Sequence, residues 1–171
     1  MTSIVKASEK DSALVSEIAR DTFLESHGNS ASPEDVSNYV VEKYSEAVLR
    51  QELRDPKNIY YIIYHDKKPA GYSKIIFGLP YENSPVQNIA KLERIYLLKA
   101  FYDQKLGLEL LQFNIELSKK NDQAGIWLYV WKANPRAVNF YIKAGFKIIG
   151  SHDFKISETH SNPNHQMLLR F

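Results

Sequence analysis

The segment Tyr102-Asp103-Gln104-Lys105-Leu106-Gly107 joins an apolar strand pattern to the start of an amphipathic helix pattern. At such a junction the first backbone N–H groups of the helix lack intrahelical partners. Together with the helix dipole they can hold phosphate oxygens. Gly107 admits a closely approaching ligand, and Lys105 adds positive charge. Many turns of this kind bind nothing, so the signal needs company. Company comes from Asn134-Pro135-Arg136-Ala137-Val138-Asn139-Phe140-Tyr141, followed by Lys143-Ala144-Gly145-Phe146. Asn134 is a helix cap, Pro135 fits the first helical position, and Gly145 ends the helix in the left-handed conformation. Tyr141 is either a core aromatic or, with Ala137 one turn earlier on the same face, a ring with room beside it for a neighbour.

Composition limits the alternatives. The 171 residues suit a single domain over 1–171. Cysteine is absent, which removes disulfides, thiolate metal sites and any enzyme-bound thioester. The net charge of +2, with no basic run, argues against a nucleic-acid partner. The longest apolar runs, Ile59 to Tyr64 and Ile126 to Trp131, are too short to span a membrane, and the N-terminus has no signal-peptide core. A cytoplasmic monomer or homodimer is expected.

The elements that must position the two segments follow from periodicity and caps. Ile4 to Ala7 reads as a short strand. Ser8 with Asp11 opens a helix to about Leu24. Ser32 and Pro33 open a second helix, whose inner stripe is Val36, Tyr39, Val40 and Lys43. Ser45 starts a third, which stops before Asp55-Pro56. Ile59 to His65 and Ala70 to Phe77 form a hairpin. Lys91 to Leu98 is a strand, Leu106 to Lys120 a helix, and Gly125 to Trp131 a strand parallel to Lys91–Leu98. After the Asn134 helix, Phe146 to Ile156 and His165 to Phe171 pair around a polar loop. A mixed α/β fold follows, with a largely antiparallel sheet and helices on both faces.

Taken together, Leu92-Glu93-Arg94-Ile95-Tyr96, the turn, Ile126-Trp127-Leu128-Tyr129-Val130-Trp131 and Asn134 to Phe146 resemble the GNAT superfamily of acetyl-CoA-dependent N-acetyltransferases. The two strands look closest to the PaiA-type polyamine acetyltransferases, and the likeness extends over essentially the whole chain. One departure stands out. Aligned without gaps from Glu93, the family's Gln/Arg-x-x-Gly-x-Gly/Ala turn falls on Tyr102, Lys105 and Gly107, and only Gly107 matches.

The resemblance implies a splayed central strand pair, Lys91 to Leu98 and Gly125 to Trp131, that grips acetyl-CoA. The backbone of Ile95, Tyr96 and Leu97 would meet the pantetheine amides. The pyrophosphate would lie on Tyr102, Asp103, Gln104, Lys105, Leu106 and Gly107. Asn134, Arg136, Asn139 and Lys143 are family-matched or nearby polar candidates for the rest of the cosubstrate. Glu93 is the candidate base for the acceptor amine, with an ion pair as its structural alternative. Tyr141 is the candidate donor to the leaving thiolate. Without cysteine, direct transfer is favoured.

The acceptor is expected to be a small-molecule primary amine, a polyamine such as spermidine by resemblance. Peptide, protein or amino-sugar N-acetylation and a non-catalytic acetyl-CoA-binding module are the alternatives. Acceptor contacts are sought in the loop Phe23 to Gly28 (Glu25, His27), at the strand end (Trp131) and in the polar loop Ser157 to His165 (His160). His160 and His165 lack a third convergent ligand, so no metal is expected.

Overall fold

The computed structural model describes residues Met1–Phe171. Seven strands make one mixed sheet in the order β1-β2-β3-β4-β5-β7-β6. They are β1 (Thr2–Lys6), β2 (Ile59–His65), β3 (Lys68–Ile76), β4 (Ala90–Leu97), β5 (Gly125–Trp131), β6 (Lys147–Lys155) and β7 (Ser161–Arg170). The helices are α1 (Ser12–His27), α2 (Pro33–Tyr44), α3 (Glu46–Arg54), α4 (Leu106–Lys120) and α5 (Pro135–Lys143). The residues divide into two compact units. One comprises Met1–Ile75 with Arg94–Asn114, the other Ile76–Glu93 with Ile115–Phe171.

In the first unit, β1 pairs antiparallel with β2, and β2 with β3. β2 is covered on both faces. Tyr60 reaches α3, where its hydroxyl donates to Glu52 at 2.6 Å. Tyr61 meets Phe113 of α4, with ring centroids 4.6 Å apart. That double cover explains why β2 is an unbroken β-branched and aromatic run. Ile63, Ala70, Leu106 and Leu110 form a buried cluster, with Ile4, Ile95, Leu97 and Phe101 packed against it. Each fully buried Ile or Leu contributes about 1.5–3 kcal/mol when removed from water. On α1, Phe23 stacks on Tyr39 of α2 at 4.9 Å and meets Tyr44 at 5.5 Å.

Caps set the helix starts. Ser32 Oγ accepts from the Asp35 N–H at 3.1 Å, ahead of Pro33 at the first helical position. The Asp11 carboxylate accepts from the Ser8 N–H at 2.7 Å, but the first turn is a 3-10 turn (Glu9–Asp11) and the α-helix proper begins at Ser12. Two expectations need correction here. α1 continues through Glu25, Ser26 and His27, which the sequence reading placed in a loop. The buried residue in the last turn of α2 is Tyr44, not Lys43, because Tyr44 joins the Phe23–Tyr39 cluster and its carbonyl accepts from Ser16 Oγ at 2.5 Å.

In the second unit, β4 and β5 run parallel through two register pairs, Ala90↔Ile126 and Lys91↔Trp127. The ladder has no pair after Lys91. β5 pairs antiparallel with β7 along its whole length, and β7 with β6. Ile89, Trp127 and Leu168 form this unit's core, flanked by Tyr81, Val86 and Tyr129. The Trp127 indole donates to the Leu79 carbonyl at 2.7 Å. β7 begins at Ser161, so Ser161 to His165 are strand residues and only a short turn remains of the expected polar loop. Its polar residues pair with β6 at Asn162↔Phe154 and Asn164↔His152, which turns a loop-like composition into a ladder.

Candidate functional site

The first unit holds the turn before α4. Leu98 N–H donates to Ala70 O at 2.9 Å, and a 3-10 turn (Lys99–Phe101) leads to Tyr102. Asp103 and Lys105 then take φ of 64° and 63°, with Gln104 between them outside that region. The first backbone bond of α4 runs from Glu109 N–H to Lys105 O at 3.1 Å. The N–H groups of Leu106, Gly107 and Leu108 therefore have no helical acceptor. Lys105, like Asp103, occupies a left-handed position, a conformation that favours glycine. Such a turn and helix start concentrate donors and positive potential suited to phosphate.

On β4, the side chains of Ile95 and Leu97 are spent on the buried cluster, which leaves their backbone as the part able to meet a ligand. Gly71 of β3 makes their position possible. A Cβ there would overlap the Tyr96 carbonyl oxygen and stand 2.6 Å from Leu97 Cδ2.

The two α1 candidates also fall in this unit. The Glu25 carboxylate accepts from the Lys99 N–H at 2.5 Å and so ties α1 to the turn after β4. His27 stacks on Phe23 at 5.2 Å, meets the Tyr96 ring edge-on at 6.0 Å, and has Nδ1 2.6 Å from Ser26 Oγ. Burial lowers its pKa to about 4, so it is neutral at pH 7.

Next to them lies a polar cluster that sequence reasoning missed. Glu52 of α3 accepts from Lys74 Nζ at 2.5 Å, Tyr60 Oη at 2.6 Å and Arg94 Nη1 at 3.3 Å. Burial raises the Glu52 pKa; the Arg94 charge and the bonds from Lys74 and Tyr60 outweigh it and leave the group below the ordinary value. Arg94 also donates to Tyr60 Oη at 2.9 Å and lies 5.0 Å over the Tyr44 ring. The Tyr44, Tyr72 and Tyr96 hydroxyls are all driven above their usual pKa, burial first among the causes. The only hint in the sequence was that Arg94 alternates with Ile95, which puts it on the opposite face of β4 from the α4 cluster.

The second unit holds the remaining candidates. The Asn134 side chain accepts from the Ala137 N–H at 3.2 Å and starts α5. Gly145, at φ 99°, ends it. Arg136, Asn139 and Lys143 are exposed on α5, while Tyr141 is 8% exposed and meets the rings of Phe140 and Phe146 at 5.2 and 5.5 Å. Tyr141 is thus a buried phenol on a short capped helix, a weak acid shielded from bulk water. Glu93 is half-buried on β4. Trp131 ends β5 opposite Asn164. His160 closes the β6–β7 turn, with Nε2 2.9 Å from Asn162 Oδ1 and its carbonyl accepting from Ile156 and Ser157. Lys91 Nζ lies 5.0 and 5.3 Å over the Trp127 and Tyr129 rings.

The sequence model of the acetyltransferase (GNAT) family matches residues 16–146. The chain is 32% identical over 155 residues to an uncharacterized N-acetyltransferase of Lactobacillus delbrueckii subsp. lactis, covering 91% of this chain and 90% of the relative. It is 28% identical over 149 residues to the spermidine N(1)-acetyltransferase of Thermoplasma acidophilum, covering 85% and 88%. Among solved structures it is similar to the PaiA N-acetyltransferase of Thermoplasma acidophilum in complex with coenzyme A. That likeness has a TM-score of 0.79 and 24% identity, and covers 100% of this chain and 99% of the other. No helix is long and apolar enough to cross a membrane.

Proposed function

Because the chain belongs to the acetyltransferase (GNAT) family, we propose that it transfers the acetyl group of acetyl-CoA directly to a primary amine of a small molecule, with 1–171 acting as one catalytic domain. The observation that carries the reading is the turn before α4. Left-handed Asp103 and Lys105 and the unbonded N–H groups of Leu106, Gly107 and Leu108 fit a pyrophosphate.

The residues divide the work as follows. The turn Tyr102–Gly107 holds the pyrophosphate of acetyl-CoA through backbone donors. The backbone of Ile95, Tyr96 and Leu97 pairs with the pantetheine amides, since β4 has no β5 partner in the ladder beyond Lys91. Asn134, Arg136, Asn139 and Lys143 serve the remainder of the cosubstrate. When bound, acetyl-CoA supplies an activated acyl carbon and a leaving thiolate. Glu93 takes the proton of the acceptor ammonium, whose pKa of roughly 10 by analogy with lysine keeps it charged at pH 7. Tyr141 donates a hydrogen bond to the departing sulfur. Complete proton transfer from a phenol of pKa about 10 to a thiolate of about 8.5 would be uphill by roughly 2 kcal/mol, so the bond itself provides the stabilisation.

Likeness to the spermidine N(1)-acetyltransferase supports a polyamine as one acceptor. A thiol-release assay over primary amines, peptides, amino-sugars and spermidine tests the activity. Acetyl-CoA-dependent thiol release with at least one primary amine is expected. Binding of acetyl-CoA with no release on any acceptor would leave a binding module instead.

A further inference from the structure

The second unit ends in a strand edge that no neighbour covers. β6 is nine residues long, and seven of them are exposed. β7 is its only strand neighbour, because β6 closes the sheet. Ile148 and Ile149 stand 48% and 42% exposed on it. A long edge of this kind is a template for pairing with another chain unless it is blunted. The other edge, β1, is five residues long and carries one charge, Lys6, with no acid to oppose it.

The phase of the ladder shows which groups the β6 edge offers. The Ile156 N–H donates to His160 O at 3.0 Å. By alternation Phe154, His152 and Gly150 also turn their backbone groups toward β7, opposite Asn162, Asn164 and Gln166. The Lys132 N–H donates to Pro163 O at 2.9 Å, which turns the odd residues of β7 toward β5 and agrees with that phase. The N–H and C=O groups of Ser151, Asp153 and Lys155 therefore point outward. Two devices could blunt the edge, a bulge and a lysine. The bulge at Ile149 precedes these residues, and Glu158 meets the Lys155 ammonium at 3.0 Å.

The stretch from Gly150 to Phe154 is complementary to itself about His152. Antiparallel pairing across a twofold axis there sets Ser151 against Asp153 of a second copy, and Gly150 against its Phe154. Ser151 and Asp153 share one face of the sheet, opposite His165 and Pro163. Lys132 Nζ lies 3.0 Å from Ser151 Oγ on that face, and neither Lys132 nor Asp153 makes an ion pair within the chain. The Asp153 carboxylate of the second copy would arrive beside that ammonium. On the other face a Cβ at Gly150 would meet nothing closer than Gln166 Oε1 at 3.4 Å, which leaves room for the opposing Phe154 ring. The His152 ring stacks on Tyr129 at 4.3 Å, so it lies back over the sheet and keeps the axis clear.

We propose that the free edge of β6 is an interface for a second copy of this chain, paired antiparallel about His152 with Lys132 and Asp153 meeting across it. Backbone hydrogen bonds hold the two edges together, and the charge pairs set their alignment. One shared edge is a small interface, so the dimer dissociates on dilution.

The test uses the full chain and no readout of acetyl transfer, so it stands apart from the activity proposed above. Sedimentation velocity over a concentration series should show a monomer–dimer equilibrium. Asp153→Lys should raise the dissociation constant at least tenfold, and Lys132→Asp combined with Asp153→Lys should bring it back within threefold of the parent. Ser151→Pro removes an outward N–H without touching the β7 ladder and should abolish the dimer. The chain has no cysteine, so a single introduced thiol reports the axis without background. Opposed residues of a non-hydrogen-bonded pair have Cα atoms about 4.5 Å apart, within disulfide reach. His152→Cys should therefore cross-link on mild oxidation at least tenfold faster than Ser151→Cys or Lys155→Cys. Should Ser151→Pro fail to fold, the charge exchange and the thiols carry the test. A chain that stays monomeric at every concentration would overturn the interface. So would a dimer indifferent to Asp153→Lys, a charge exchange that restores nothing, or thiols that cross-link equally at all three positions.

Discussion

Gly71 of β3 and Tyr96 of β4 approach so closely that no side chain fits between them. A Cβ on Gly71 would overlap the Tyr96 carbonyl oxygen and press on Leu97. The obstacle is backbone rather than a flexible side-chain end, so the strand cannot yield locally. Gly71→Ala is expected to lower stability by about 2 kcal/mol, in the range of overpacking changes. It should also raise the KM for acetyl-CoA severalfold by displacing the Ile95–Leu97 backbone. Urea unfolding and a KM measurement check both. A fully stable variant with unchanged KM would remove Gly71 from the account of β4.

Lys105 invites the opposite change. Its φ of 63° is a conformation that disfavours residues with a Cβ by about 1–2 kcal/mol. Lys105→Gly should stabilise the chain by about 1 kcal/mol, as judged by the urea midpoint. At an ordinary helical or extended position the same substitution would destabilise it by about 0.5–1 kcal/mol, so the sign of the change is decisive.

How much of this could be read in the sequence depended on whether the signal was local. The Ser32-Pro33 start of α2, the Asn134 cap and the Gly145 stop are local backbone requirements, and all three were read correctly. The end of α1 was misplaced because His27 is held by Phe23 and by Tyr96, 69 positions further on, a contact that periodicity does not encode. Likewise Lys43 fitted the α2 stripe, but Tyr44 is the residue that packs into the aromatic cluster. Of the proposed site, the α4 turn and Tyr141 stand out in the sequence as motifs. The Glu52–Arg94 pair joins residues 42 positions apart on a helix and a strand, and neither residue alone suggests the other.

His27 makes stability depend on acid. Burial holds its pKa at about 4 in the folded chain, against 6.5 for the free group. Below pH 6.5 the unfolded chain takes up a proton that the folded chain refuses, so stability falls as pH drops from 6.5 toward 4 and levels off below that. The 2.5-unit difference corresponds to about 3 kcal/mol. His27→Phe keeps an aromatic ring against Phe23 and removes the titration. Urea unfolding at pH 7 and pH 4.5 should show a smaller loss in the variant, and an identical loss would assign the acid sensitivity to other groups.

Glu93, if it is the base as proposed, should set the acidic limb of the kcat/KM profile. Glu93→Gln is expected to remove or shift that limb and to lower kcat by about 10²-fold, within the usual range for a positioned base. An unaltered limb would pass the proton to a water or to another residue.

Tyr141→Phe separates chemistry from binding. The ring is buried between Phe140 and Phe146, so a phenylalanine fills the same space and the fold should hold. Only the hydroxyl is lost, and with it the hydrogen bond proposed to reach the departing sulfur. That bond matters only as negative charge develops on the sulfur, so its loss falls on kcat and spares the ground-state affinity. A drop in kcat of at least tenfold is expected, with the KM for acetyl-CoA within about twofold of the parent. The loss should shrink when acetyl-CoA is replaced by an acyl donor with a more acidic leaving thiol, which needs less help to depart. A pH profile and a donor series on the purified variant measure both effects, and an unchanged kcat across the whole pH range would end the donor role.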